Sequence, residues 1–370
     1  MKSIGILNLP RDGNYGGMLQ AVALHSFLND RGYRVTSIGN GGPQSKRINP
    51  ALKKLIVSVL ERVPVQNFKG VRERYEKVSR HEKFLSEYIV RQTRKACSGA
   101  EFRQAVSKER FDAVIVGSDQ VWRWDYISYD PSRYFLEFVD AMQTRKIAYA
   151  ASFGMDHWQA PDMIEEIKPL LADFHAVSTR EQSGVSICEA LGRTDCHHVL
   201  DPTLLVDASF YDRFTMPSRD EGSGTKRMLT YILDGAQDKS RLVSDALAML
   251  GKHYALRELG LQSDASVSEW VSEFKNADFI VTDSFHGTVF AILFRKNFVA
   301  LGNSGRGLSR FTSLLGGFNL ESRLLLNEYV DKARLQELVG TVVDYSTVDE
   351  ILPRLRRDSA DFLLDAIDGY

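Results

Sequence analysis

The sequence predicts an α/β protein of two doubly wound, Rossmann-like domains facing a cleft. Three observations carry this. Short apolar runs rich in β-branched residues alternate with helical patterns almost throughout. The alternation falls into two successive series, and 370 residues suffice for two domains of ordinary size. Polar turns, some with glycine, follow several of the runs, where open parallel sheets bind ligands beyond the carboxyl ends of their strands.

Ser3–Leu9 reads as a strand, followed by the loop Pro10–Gly17 and a helix over Met18–Asp30 that stops near Gly32. Arg34–Ile38 is a second strand, and a basic region then carries two or three helices. Phe111–Gly117 is a buried strand ending in the polar turn Ser118–Gln120. Strand Lys146–Ala151, helix Pro161–Asp173, strand Phe174–Ser178, helix Glu181–Leu191 and short strand His198–Leu200 complete the first series. The second starts after Asp201-Pro202 and a loop at Pro217–Lys226. It runs through strand Arg227–Leu233, helix Lys239–Leu250, strand Tyr254–Leu256, helix Ser266–Asn276, strand Phe279–Val281, an apolar helix bearing His286, and strand Phe298–Leu301. A mainly helical tail closes the chain. The expected division is residues 1–205, with a basic helical insertion at about 45–100, and residues 206–370 with the tail.

Composition is that of a soluble globular chain, 44% hydrophobic and 26% charged, and the net charge of −1 gives no global field for nucleic acid or anionic membrane. Cys97, Cys188 and Cys196 lack close metal-ligand spacing and read as free thiols in a reducing cytoplasm. MKSIGILNLP enters a strand pattern with no signal peptide, and no apolar run reaches the roughly 18 residues of a membrane span, so a cytoplasmic location is expected. HExxH, paired CxxC and Walker patterns are missing, and His197-His198 fall on opposite faces of a strand. No required metal or cofactor is expected. One charge asymmetry is local: Lys46 to Lys95 holds fourteen Lys/Arg against five Asp/Glu. Within it, Ala51–Val63 reads as an amphipathic helix. It is either a solvated basic surface over a core-facing helix or a docking face for an anionic lipid or lipid-linked substrate at the inner membrane surface.

The most telling stretch is ADFIVTDSFHGTVFA, Ala277–Ala291. A buried strand runs into Asp283, Ser284, Phe285, His286 and Gly287, and a helix follows. Its N-terminus offers unpaired N–H groups and a positive dipole end, which suit a phosphate. Asp283 or Ser284 can cap it, Gly287 lets a ligand approach, and His286 can add charge or a proton. The turn Ser178–Ser183 places Arg180 to grip a carboxylate or phosphate in fork geometry. Its plainer alternative is an ion pair with a neighbouring acid. The loop Asn303–Phe311 adds Arg306 and Arg310. On the other side, Asp119 and Gln120 are hydroxyl partners, and Trp122 offers a flat face for a sugar ring. The loop Asp12–Gly17 lacks G-x-G-x-x-G spacing, which argues against NAD, yet its glycines permit close approach beside Asn14 and Tyr15.

GNYGGMLQAVAL, FDAVIVGSDQVW, KIAYAASFG, VSTREQSGV, VLDPTLLVD, ADFIVTDSFHG and the late SRF near Arg310, in this order, resemble the polysaccharide pyruvyl transferase family. The resemblance covers most of the chain and is weakest at about residues 45–100. It implies a GT-B-like fold and transfer of pyruvate from phosphoenolpyruvate to two hydroxyls of a sugar, giving a cyclic ketal and free phosphate. It also implies an acceptor in a surface polysaccharide or its lipid-linked precursor. Some members carry Arg-x-His where this chain has Ser284-Phe285-His286, so Arg306 or Arg310 is left to supply the missing cation. On this reading Arg180 and His286 are the catalytic pair and bind the donor anion, and His286 is a proton donor. Ser284, Gly287, Arg306 and Arg310 also bind the donor. Asn14, Tyr15, Asp119, Gln120 and Trp122 face the acceptor. Two rivals are a nucleotide-sugar glycosyltransferase of the same fold and a non-catalytic carbohydrate-binding protein.

Overall fold

The computed structural model describes residues 1–10, 13–42, 69–217, 224–234, 237–260, 263–302, 307–326 and 332–369, without the side chains of 69–77 and 237–238. Arg306, Ala51–Val63 and the first half of the basic stretch lie outside the described residues.

Six parallel strands form the first sheet: β1 (Ser3–Leu7), β2 (Arg34–Ser37), β3 (Ala113–Gly117), β4 (Arg145–Ala151), β5 (Ala176–Thr179) and β6 (His197–His198), in the order β2-β1-β3-β4-β5-β6. Ile4 of β1 pairs with Val35 on one side and Ala113 on the other. The second sheet holds β7 (Lys226–Ile232), β8 (Tyr254–Gly260), β9 (Phe279–Thr282), β10 (Asn297–Gly302) and β11 (Leu324–Leu326), in the order β11-β10-β9-β7-β8. All its pairings are parallel too. The uninterrupted apolar runs of β3 and β9 are wholly buried because helices cover both faces of a parallel sheet. Both sheets reverse their order after the second strand. Each therefore opens a crevice, at β1/β3 in one and at β7/β9 in the other.

The helices between them include α1 (Tyr15–Asn29), α2 (Lys69–Tyr88), α3 (Gly99–Glu109), α4 (Ile164–Ala172), α5 (Gln182–Ala190), α6 (Gln237–Leu250), α7 (Val267–Asn276), α8 (Phe285–Leu293), α9 (Leu308–Gly316), α10 (Lys332–Gly340) and α11 (Ser346–Asp368). Among the described residues no helix is long and apolar enough to cross a membrane.

Helix α1 is apolar around its whole circumference because it is buried between the two units. Tyr15, Met18, Leu19 and Val22 share one continuous core with Trp270, Phe285 and Phe290 of the second unit. The first and second sheets are thus joined by packed apolar surface. The last helix, α11, was expected with the second unit. Instead it crosses back, burying Ala360, Leu363 and Ile367 with Ile4, Ile6 and Ile115 of the first sheet. Lys2 Nζ meets Asp368 at 2.9 Å there, and Arg145 Nε donates to the Ala366 carbonyl at 2.8 Å.

Candidate active site

In the first unit the site grows from the two turns that flank the β1/β3 crevice. After β1, Asn14 has extended backbone (φ −92, ψ 101) and caps α1, its side-chain oxygen accepting from the Gly17 amide. This cap starts α1 at Tyr15, three residues before the expected start. After β3 the chain turns through Ser118 (φ 39) and Asp119 (φ 61). Left-handed backbone at two successive non-glycine residues costs about 1–3 kcal/mol each and persists only where the surroundings over-determine it. Here they do. The Ser118 hydroxyl donates to Asp201 Oδ2 at 2.9 Å, and Asp119 Oδ2 accepts from Asn14 Nδ2 at 2.9 Å, tying the two turns together.

Arg180 follows β5, and its side chain is fully buried. Nη1 donates to Asp201 Oδ2 at 2.9 Å, Nη2 to Asp119 Oδ1 at 3.4 Å, and Nε lies 3.7 Å from Glu181 Oε2. Glu181 has structural duties of its own. Its Oε1 accepts from the Ser152 hydroxyl and from the amides of Phe153 and Gly154.

The second unit contributes the turn after β9 and the start of α9. Ser284 caps α8, accepting from the Gly287 amide at 3.3 Å. Thr288 makes the first intrahelical bond, to the Ser284 carbonyl, so the ladder leaves the amides of Phe285 and His286 for other partners. Asp283 does not cap. It binds the amides of Leu233 and Asp234 and Lys239 Nζ, bridging the β7/β9 crevice. His286 is buried, with Nε2 3.6 Å from Asp201 Oδ2. A Cβ on Gly16 would lie 2.1 Å from its Nδ1, so the ring packs directly on the first turn of α1. Only glycine leaves room for it.

Arg310 sits in the first turn of α9, whose start, Gly307, has φ 72. A Cβ on Gly307 would lie 2.6 Å from the Gly154 carbonyl oxygen. Bare glycine backbone thus lets α9 close onto the first unit. The guanidinium carbons of Arg180 and Arg310 lie 4.4 Å and 6.0 Å from the centroid of the Phe285 ring. Burial, and then the nearby positive charge of Arg180, push the Arg310 guanidinium down to about 10. For Arg180 burial also pulls downward, but Asp201, Asp119 and Glu181 outweigh it and hold it above its ordinary value. Asp201 is the mirror case. Burial raises its carboxyl, yet His286, Arg180 and the Thr203 amide hold it far below the usual range.

The predicted residues divide as follows. Arg180, His286, Arg310, Asn14 and Asp119 come together. Gln120 is at the edge, its Oε1 accepting from Arg123 Nη1 at 2.9 Å. Trp122 does not face a cleft. It is fully buried, stacks on Phe135 at 5.2 Å, and donates to the Tyr134 carbonyl. The strained Asp119 turn swings it under the sheet. Tyr15 is also buried, stacked on Trp270 at 5.8 Å with its hydroxyl donating to the Ala265 carbonyl, and so belongs to the seam between the units. Gly287 serves packing rather than ligand approach, since a Cβ there would meet Thr282 Oγ1 at 2.3 Å. Beside Asn14, among the described residues, a cavity of about 630 Å³ opens at the carboxyl ends of β1 and β2, lined in part by Asn8, Gly13, Asn40, Gln92 and Lys95.

A family model described as polysaccharide pyruvyl transferase matches residues 14–305, beginning at the Asn14 cap. The chain belongs to the polysaccharide pyruvyl transferase family. Its fold is that of GT-B proteins. UDP-N-acetylglucosamine 2-epimerase from Rickettsia bellii is 12% identical with a TM-score of 0.56, and the alignment covers 100% of this chain and 98% of that one. S. aureus MnaA, solved with UDP, is 12% identical with a TM-score of 0.57, covering 100% and 97%. The spinosyn forosaminyltransferase SpnP is 10% identical with a TM-score of 0.52, covering 100% and 98%. These likenesses concern the fold alone. No curated protein matches the chain.

The arrangement sets the guanidiniums of Arg180 and Arg310 and the His286 imidazole among three carboxylates, and Arg180 is ion-paired with all three, Asp119, Glu181 and Asp201, as the plainer alternative for it had it. Sequence reasoning missed Asp201, which it read as the start of the second series. Its segment, VLDPTLLVD, was among those that carry the family resemblance, but nothing local assigned its acid a role.

Proposed function

We propose that the protein transfers pyruvate from phosphoenolpyruvate to two hydroxyls of one sugar, in a surface polysaccharide or its lipid-linked precursor, forming a cyclic ketal. The observation that carries this reading is the convergence of Arg180 and Arg310, one from each unit, on the Phe285 ring beside His286. Phosphoenolpyruvate bears a carboxylate and a phosphate, and it needs several cations or N–H donors to bind.

The atoms balance without a redox partner. The enol methylene carbon takes a proton, and one sugar hydroxyl adds at C2 with loss of its own proton. The second hydroxyl then attacks C2, and its proton leaves with the displaced phosphate as hydrogen phosphate. His286 is the proton donor, and Arg180 and Arg310 hold the donor anion, with Arg306 assigned beside them from the sequence. Asn14, Asp119 and Gln120 face the acceptor, whose sugar extends into the cavity at Asn8 and Asn40. No cofactor takes part. The enzyme works in the cytoplasm, and the basic stretch Lys46–Lys95 draws it to the inner membrane surface that carries a lipid-linked acceptor.

Phosphate release from phosphoenolpyruvate, measured against a panel of nitrophenyl and lipid-linked sugars, tests the reading. Ketal formation with stoichiometric phosphate is the expected result. Turnover of a UDP- or CMP-sugar instead would make the site that of a glycosyltransferase. Glycan binding without phosphate release would make it a binding protein.

A further inference from the structure

We propose that Asp201 is a positioning residue that keeps the proton of His286 on Nε2 and so leaves Nδ1 as the nitrogen that gives and takes a proton. The proposal rests on the pyruvyl-transfer reading for its kinetic consequence, though not for its geometry. Asp201 lies on the segment between the two units, with its side chain fully buried. Its two oxygens have separate tasks. Oδ1 accepts from the Thr203 amide at 3.0 Å and the Thr203 hydroxyl at 2.7 Å, which fixes the plane of the carboxylate. Oδ2 is thereby aimed at the cleft, where it meets the Ser118 hydroxyl and Arg180 Nη1, each at 2.9 Å, and His286 Nε2 at 3.6 Å.

An ionised carboxylate only accepts. The nitrogen that faces it must carry hydrogen, because a bare Nε2 would set two lone pairs against each other in a buried site. At 3.6 Å the pair is beyond hydrogen-bond length, and among the described residues His286 Nε2 has no hydrogen-bond partner. A pair of this length shortens when substrate fills a site. On its other side the ring packs against Gly16, where an added Cβ would lie 2.1 Å from Nδ1 and 2.2 Å from Cγ. One carboxylate therefore sets the tautomer of an imidazole from one unit and the place of a guanidinium from the other. The Asp–His pairing of acyl-transfer triads works on the same logic.

The test uses full-length protein labelled with ¹⁵N-histidine, the His286 signals being those that vanish in His286→Gln. In the wild type at neutral pH, Nε2 should be protonated. In Asp201→Asn, Nδ1–H should gain population. A bare Nε2 in the wild type, or a tautomer unmoved by Asp201→Asn, would overturn the proposal. Kinetics supply a second arm. Asp201→Asn should lower kcat for phosphate release by about tenfold or more in the wild-type background, and by no more than about twofold in the His286→Ala background. Equal losses in both backgrounds would mean that Asp201 acts through Arg180 or the fold alone. If wild-type protein releases no phosphate from phosphoenolpyruvate, the pyruvyl-transfer reading fails, and the tautomer measurement still decides the role of Asp201.

Discussion

Gly16→Ala places a methyl group where the structure already holds the His286 ring. The new Cβ would lie 2.1 Å from Nδ1, 2.2 Å from Cγ and 2.7 Å from Cβ of His286. Ordinary van der Waals contact begins at 3.4 Å, so the ring or α1 must give by about 1 Å. Neither moves freely. The ring is buried with Nε2 near Asp201, and α1 is buried along most of its length. Overpacking of this kind costs about 1–3 kcal/mol. The better helix propensity of alanine returns about 1 kcal/mol. The net loss in stability is therefore small, about 0–2 kcal/mol, or a few degrees in Tm. The catalytic effect is larger, because a displacement of about 1 Å in a reacting group can cost about 100-fold. The expected result is a kcat for phosphate release down by about 100-fold in a protein that melts within a few degrees of wild type. Gly340→Ala is the control, since a Cβ there meets nothing within 4 Å. Near-normal turnover in folded Gly16→Ala would show that the chemistry does not need His286 where the structure puts it.

Other expectations follow from the same packing. Arg180→Ala leaves the buried carboxylates of Asp119, Glu181 and Asp201 without their shared cation and should lose about 3–5 kcal/mol in urea unfolding. Arg180→Lys should fold and raise the KM for phosphoenolpyruvate more than the KM for the acceptor; a rise confined to the acceptor would place Arg180 on the wrong side. Trp122→Ala should lose about 3–5 kcal/mol, whereas Trp122→Phe should leave the acceptor KM unchanged, and a raised KM with unchanged Tm would return Trp122 to the site. Because the Asp201 carboxyl is held below its ordinary value, its contribution to stability is complete above about pH 4 and declines as pH falls toward its lowered folded value. Urea unfolding at pH 7, 4 and 3 should show wild-type stability dropping below pH 4 more steeply than that of Asp201→Asn. Activity should survive excess EDTA; a loss reversed by one divalent ion would reveal a metal in the mechanism.

Local signals were read well wherever a residue acts on its own neighbourhood. The apolar runs of β3 and β9 marked buried parallel strands, and the cap of α8 was narrowed to Asp283 or Ser284, of which Ser284 caps, because capping reaches only three residues along the chain. Arg180 and His286 stood out for the same reason, each in a polar turn directly after a strand. Trp122 and Tyr15 were misplaced because a side chain's direction just past a strand depends on the turn. The left-handed backbone at Asp119 sends Trp122 into the core, and the early cap at Asn14 draws Tyr15 into α1.

By itself the sequence determined two parallel α/β units and the polar turns that follow their strands, since periodicity, capping and turn chemistry are short-range. The tertiary structure alone decided what those turns do together. It brought Asp119, 61 residues before Arg180, and Asp201, 21 residues after it, onto one guanidinium. It set His286 against Gly16, and it returned α11 to the first sheet. Contacts between residues so far apart in the chain arise when two apolar surfaces are buried against each other, and no local pattern encodes which polar groups that burial will trap between them.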